Sequence, residues 1–291
     1  MQDSALITVG LPIALAIIMF GLGLSLTLAD FARVARQPKA VIAALAVQVL
    51  VLPLITFGLV KAFDLPPLLA VGVMLLVASP GGTTANLLSH LFRGDVALNI
   101  SLTAVNSVLA ALTIPIVVNL SIDHFGADGE LGLQYAKVLQ VIAIVLVPVA
   151  IGMLVRARNQ SFALAADRPV RIFSITVLAM VAIGAIIGER ENVVDYFADI
   201  GVVVVLVCLI SLSLGYAVAL ALRLGRAQAV ACSMEVGIHN TTIALAIALS
   251  VLDNSTVAVP AAVYSIVMYV LAPTFGWLVS RRGPAGVEQP V

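Results

Sequence analysis

The chain has 291 residues, of which 62% are hydrophobic and 10% charged, and its 15 basic and 15 acidic residues leave a net charge of zero. A soluble domain carries about 25% charged residues, so this composition excludes an ordinary water-soluble globule. The balanced charge offers nothing to attract nucleic acid.

Residues 1–10 read MQDSALITVG, with no basic n-region and no clear cleavage site. They are read as a short tail before a retained helix rather than as a signal peptide. A membrane-spanning helix needs about 20 mostly apolar residues. Nine such stretches follow in order, at about 6–27, 40–60, 67–92, 96–119, 137–155, 172–188, 200–222, 227–251 and 256–280. The repeated ten-residue alternation of a membrane β-barrel is absent from the sequence, so the expected fold is an all-α integral membrane protein. It forms a single transmembrane domain over 1–291, with a C-terminal tail at 283–291. Cys208 and Cys232 both sit in apolar runs and read as packing residues.

Alternating the connections places Arg33, Arg36, Lys39, Arg93, Arg156, Arg158, Arg168, Arg171, Arg223, Arg226, Arg281 and Arg282 on one side. The other side has only Lys61, Lys137 and Arg190, together with most of the loop acids. Cytoplasmic loops are enriched in Lys and Arg. The expectation is therefore a multi-pass protein of the inner cell membrane, N-terminus outside and C-terminus in the cytoplasm.

Two stretches break the apolar helical pattern. The third carries Ser79-Pro80-Gly81-Gly82-Thr83-Thr84-Ala85-Asn86 at its middle, and the eighth carries Ser233-Met234-Glu235-Val236-Gly237-Ile238-His239-Asn240-Thr241-Thr242. Proline removes a backbone donor and crowds the preceding turn, and non-helical backbone survives at membrane depth only inside protein or beside a wet cavity. A carboxylate there marks function by default. The third stretch runs inward and the eighth outward. Paired interruptions in two inverted halves point to a transporter's central site. Repeat 1 is set at 6–119 with four helices and repeat 2 at 137–280 with five, with core helices at about 67–119 and 200–280 and 40–60 adjoining. Asn99, Thr103 and Asn106 share one helical face. Gln48 stands alone among apolar residues, as an interhelical bridge or as a ligand. Asn99 and Asn106 carry the same two readings, with Asn106 leaning to packing.

These residues resemble the bile acid:sodium symporter family. The resemblance runs from Ile17-Ile18-Met19-Phe20-Gly21-Leu22-Gly23-Leu24 to Ala258-Val259-Pro260. It is carried by Pro80-Gly81-Gly82-Thr83 with Asn86, by Arg93-Gly94-Asp95-Val96-Ala97-Leu98, and by Glu235-x-Gly237-x-His239-Asn240. It implies a core domain with two crossing broken helices, a panel domain, and inward movement of an organic anion with sodium. This chain would be a nine-helix bacterial member lacking the extra first helix of the ten-helix form.

The resemblance also implies site residues. A first sodium site would use Asn86, Asn99, Thr103 and Glu235. A second would use Gln48, Glu235 and His239 with the backbone carbonyls of Val236 and Ile238. Substrate would sit by Thr83 and Asn240. This sequence departs from the family where Ala85 replaces a hydroxyl residue, where His239 stands in place of a frequent glutamine, and where Tyr269 replaces an amide near the substrate. The expected partners are the bilayer, about two sodium ions and a small carboxylate, either bile-acid-like or a metabolite such as pantothenate or pyruvate. No organic cofactor is expected. Proton coupling through Glu235 or His239 is the alternative. A channel, or an enzyme built on Ser233 and His239, fits the pattern less well.

Overall fold

The computed structural model describes residues 11–127, 135–166, 169–170, 172–173, 176 and 193–281. The expected sixth span falls almost wholly outside them. In chain order the helices are α1 (Leu11–Ser25), α2 (Leu28–Arg33), α3 (Pro38–Ala62), α4 (Pro67–Ala78), α5 (Thr83–Leu91), α6 (Val96–Phe125), α7 (Tyr135–Arg158), α8 (Val193–Ala221), α9 (Arg226–Gly237), α10 (Thr241–Ser250) and α11 (Ser255–Arg281). No β-strand occurs among the described residues. The protein is an α-helical membrane protein. α3, α6, α11 and residues Ile200–Ala221 of α8 are each long and apolar enough to cross a bilayer, and the α1–α2 pair becomes a fifth span if its 62° bend is counted within one crossing.

That bend follows from side-chain chemistry. Thr27 leaves the helix in an extended conformation, and the Asp30 carboxylate accepts from its backbone N–H at 2.8 Å and its hydroxyl at 2.6 Å. A reaching-back acid of this kind starts a new helix. Arg33 then pairs with Asp30 at 2.6 Å. In α3 a π turn spans Val47–Val51, with the Leu52 N–H reaching back five residues to the Val47 carbonyl. Pro53 follows. Its ring has no N–H to give the carbonyl four residues back and crowds it, and the wider turn relieves that crowding. The turn carries Gln48.

Both expected interruptions are present. α4 ends at Ala78 and α5 begins at Thr83; α9 ends at Gly237 and α10 begins at Thr241. The two gaps cross. Gly81 and His239 form an isolated antiparallel bridge, and the Asn240 N–H donates to the Pro80 carbonyl at 2.8 Å.

The turns carry a second regularity. Among the described non-glycine residues, positive φ occurs at Asp64 after α3, Arg93 after α5, Arg223 after α8 and Asp253 after α10. A left-handed residue is a common way to end a helix. Here it follows the helix before, and the second half of, each broken pair. The charges swap: Asp64 corresponds to Arg223, and Arg93 to Asp253.

Packing gathers the elements around the crossing. α4 lies against α6 and α11, α9 against α8, α5 and α6, and α10 against α11. α1 runs along α7, with Gly23 set on the Val149 backbone and Gly152 on the backbone of Phe20, Gly23 and Leu24. Without a hydrophobic drive between helices in lipid, such small-residue contacts supply the packing. A Cβ at residue 152 meets backbone that cannot yield. Gly152→Val is therefore expected to destabilise the protein by about 1–3 kcal/mol, seen as a lower melting temperature in detergent. An unchanged melting curve would mean the α1–α7 approach is looser than this.

Candidate ion-binding site

The site is built on Glu235, which is 1% exposed in the last turn of α9. Oε2 accepts from Thr103 Oγ1 at 2.6 Å and from Asn99 Nδ2 at 2.8 Å. Oε1 accepts from the Gly81 N–H at 3.2 Å and from Asn106 Nδ2 at 3.4 Å. The face expected on α6 thus delivers all three of its polar residues to one carboxylate, Asn106 included. The i, i+4, i+7 spacing is the signal for Asn106, although on its own it equally suits interhelical glue.

Gly81 is required by space. A Cβ on it would overlap the Glu235 carboxyl group. Each hydrogen bond to a charged group contributes about 1.5–3 kcal/mol, which offsets part of the cost of burying the acid. No basic side chain does so: the one ion pair among the described residues is Arg33–Asp30.

The helices that meet here also carry buried polar atoms without a hydrogen-bond partner. Asn99 Oδ1 and Asn86 Oδ1 are buried without a hydrogen-bond partner, as are Gln48 Oε1 and His239 Nε2. The three amide oxygens are acceptors, and His239 Nε2 is one when the ring proton sits on Nδ1. Leaving one buried acceptor unpaired costs about 1–3 kcal/mol. Asn99 is the one of these side chains bonded to the carboxylate, so its free oxygen and the acid lie together as oxygen groups of the kind that suit a small cation. Thr103 has a single proton and two acceptors in reach, Glu235 Oε2 and the Asn99 carbonyl at 3.0 Å. When the proton turns to the carbonyl, the hydroxyl oxygen is free to serve as a ligand.

The second group gathers at the α3 π turn. Gln48 Nε2 donates to the Ser79 carbonyl at 3.2 Å and the Val77 carbonyl at 3.3 Å, and lies 3.3 Å from His239 Nδ1. His239 Nδ1 is 3.3 Å from the same Ser79 carbonyl. With the proton on Nδ1, His239 donates there and Nε2 keeps its lone pair. Val236 and Ile238 are buried in the adjoining backbone. No direct contact joins Glu235 to Gln48 or His239 among the described hydrogen bonds.

Of the expected substrate residues, Asn240 lies at the crossing and its Oδ1 caps α10 by accepting from Ile243 N–H at 3.2 Å. The side chain of Thr83 lies outside the described residues. Its neighbour Thr84 meets Tyr269 through their hydroxyls at 3.3 Å. Ser233, half of the enzyme reading, gives its hydroxyl proton to the Leu212 carbonyl at 2.7 Å, and no bond to His239 is among the described hydrogen bonds.

Residues 12–196, more than half of the chain, match the sodium bile acid symporter family. The chain belongs to that family. It is a membrane transporter, not an enzyme. Among curated relatives it is 30% identical to an uncharacterised sodium-dependent transporter of Bacillus subtilis, over 87% of this chain and 78% of that one. It is 28% identical to a probable chloroplastic sodium/metabolite cotransporter of Arabidopsis thaliana, over 95% of this chain and 68% of the relative. It is 29% identical to the human ileal sodium/bile acid cotransporter, over 64% and 52%.

Gly81→Ala forces the carboxylate out of its four-donor cradle. A displacement costing about 1.4 kcal/mol lowers cation affinity about tenfold. The sodium concentration needed to raise the melting temperature of purified protein should therefore rise by about that factor. An unchanged sodium dependence would show that the cradle does not set the affinity.

Proposed function

We propose that this chain carries a small organic anion into the cell, driven by sodium, by alternating access across two inverted halves. The observation that carries the reading is the buried Glu235 carboxylate, without a basic partner among the described residues, at the crossing of two broken helices that also carry unpaired buried acceptors. The matching left-handed turns at Asp64/Arg223 and Arg93/Asp253 support the inverted relation. Their charge swap fits the positive-inside rule with the C-terminus in the cytoplasm of an inner cell membrane.

In this reading one sodium is held by Glu235, Asn99, Thr103 and Asn86. A second is held by Gln48, His239, Glu235 and the carbonyls of Val236 and Ile238. Both ions draw the first gap and the second gap into one geometry. The start of α5 at Thr83 and the start of α10 after Asn240 then present free N–H groups to an anion, whose charge the positive helix ends favour. Carboxylates of the bile-acid or small-metabolite type suit that position. With two sodium ions, one carboxylate and a monovalent anion, the loaded core is neutral. The empty core returns with one negative charge, so each cycle moves one positive charge inward. That is worth about 2.3 kcal/mol per 100 mV.

The test is uptake of a labelled carboxylate panel into proteoliposomes. An inward sodium gradient should drive accumulation of at least one member, and an inside-negative potential should increase it. Glu235→Gln should abolish sodium-driven uptake, whereas Thr83→Ala should weaken uptake and leave sodium binding in place. Accumulation driven by a pH gradient alone, with no response to sodium, would contradict the reading and favour proton coupling.

A further inference from the structure

Tyr264 lies at mid-length in α11 and is fully buried, at 0% exposed. Its hydroxyl donates to the Gly237 carbonyl at 2.9 Å. Gly237 is the last residue of α9, so its carbonyl has lost its helical partner and needs another. The tyrosine ring stands edge-on to the His239 imidazole, with centroids 5.3 Å apart. Cys208 and Ser211 of α8 lie beside the hydroxyl. One side chain from α11 therefore contacts the start and the middle of the short gap that separates α9 from α10.

The carbonyls along that gap are divided. Tyr264 takes Gly237, and the Thr241 N–H takes His239 at 3.0 Å. The carbonyls assigned to the second ion are those of Val236 and Ile238, which flank the one Tyr264 holds. Holding the Gly237 carbonyl fixes the orientation of the planar peptide that leads into Ile238. Gly237 is packed closely there, since a Cβ on it would run into Leu212. α11 also touches the first broken helix: Gly72 of α4 rests on the Val257 carbonyl and Pro260, and Tyr269 meets Thr84 of α5.

We propose that Tyr264 is a positioning residue for the second cation. By holding the Gly237 carbonyl and flanking His239, it sets the geometry of the gap and passes the gap's ion-dependent ordering to α11. The proposal rests on the reading of that gap as an ion site.

The experiment measures melting temperature of the full-length protein in detergent against sodium concentration, with choline as the replacement ion. Tyr264→Phe removes one hydroxyl and leaves a buried carbonyl unpaired. It should lower melting in choline as any lost buried bond does, and in addition raise the half-maximal sodium concentration about tenfold. Ser233→Ala removes a comparable buried bond between α9 and α8, and should lower melting in choline without moving the sodium midpoint. An unmoved midpoint in Tyr264→Phe overturns the proposal, and so does an equal shift in Ser233→Ala, which would mark general loosening. If the unaltered protein melts identically in sodium and choline, the ion site itself is wrong and the proposal falls with it. Should Tyr264→Phe not fold, hydrogen exchange on the unaltered protein decides. Sodium should slow exchange at residues 236–241 and at 262–266 of α11 together, and slowing confined to the first segment overturns the coupling.

Discussion

A buried carboxylate without a basic partner is the constraint from which the rest of this structure follows. Glu235 comes from the second half of the chain, and all four of its hydrogen-bond donors come from the first. The acid therefore joins the halves at the point where each has a gap in its helix. Removing a charge from water is costly, and the cost is recovered only with good partners. Neutral donors recover part of it locally, but they leave the net charge at membrane depth. They also leave nearby oxygen and nitrogen acceptors with nothing to accept. Cations answer both needs at once, which is why an ion-coupled transporter is the functional reading best supported by this arrangement.

The surrounding architecture serves to hold that arrangement open. Gly81 gives the carboxyl group its space, and Pro80 ends the continuous helix that would otherwise fill it. The π turn in α3 places Gln48 against the backbone of the first gap and the imidazole of the second. α11 runs along both broken helices and satisfies a carbonyl that the second gap exposes. Small residues bring the neighbouring helices close. At Gly215, α8 approaches the Cys232 and Ser233 backbone of α9 so nearly that a side chain has no place. The gaps are thus irregular in backbone and yet enclosed by well-packed helices.

Much of this was legible in the amino-acid sequence because it violates a strong rule. A carboxylate, an imidazole and two prolonged polar breaks stand out where lipid demands apolar, regular helices, so Glu235 and both gaps were marked, as was the polar face of α6. Other features leave weak traces. The π turn looks like any apolar helix, since Pro53 is equally compatible with a simple kink. Tyr264 reads as one more aromatic residue, because its role depends on a carbonyl 27 positions away. The sharp turn after Ser25 hangs on a Thr27–Asp30 pair three residues apart, a signal easily lost beside the basic loop that follows. Asn240, expected beside substrate, uses its carboxamide oxygen to cap α10, and that local use cannot be separated from ligand binding by residue type alone.

The central claim is that alkali cations sit between Glu235 and the unpaired acceptors around it. Anomalous diffraction from crystals in which thallium replaces sodium tests it most directly. The account predicts one peak within ligand distance of Glu235, Asn99 and Thr103, and a second by Gln48 and His239, both displaced by excess sodium. A map with no peak at either place, and with the four hydrogen bonds to Glu235 intact in high sodium, would contradict it.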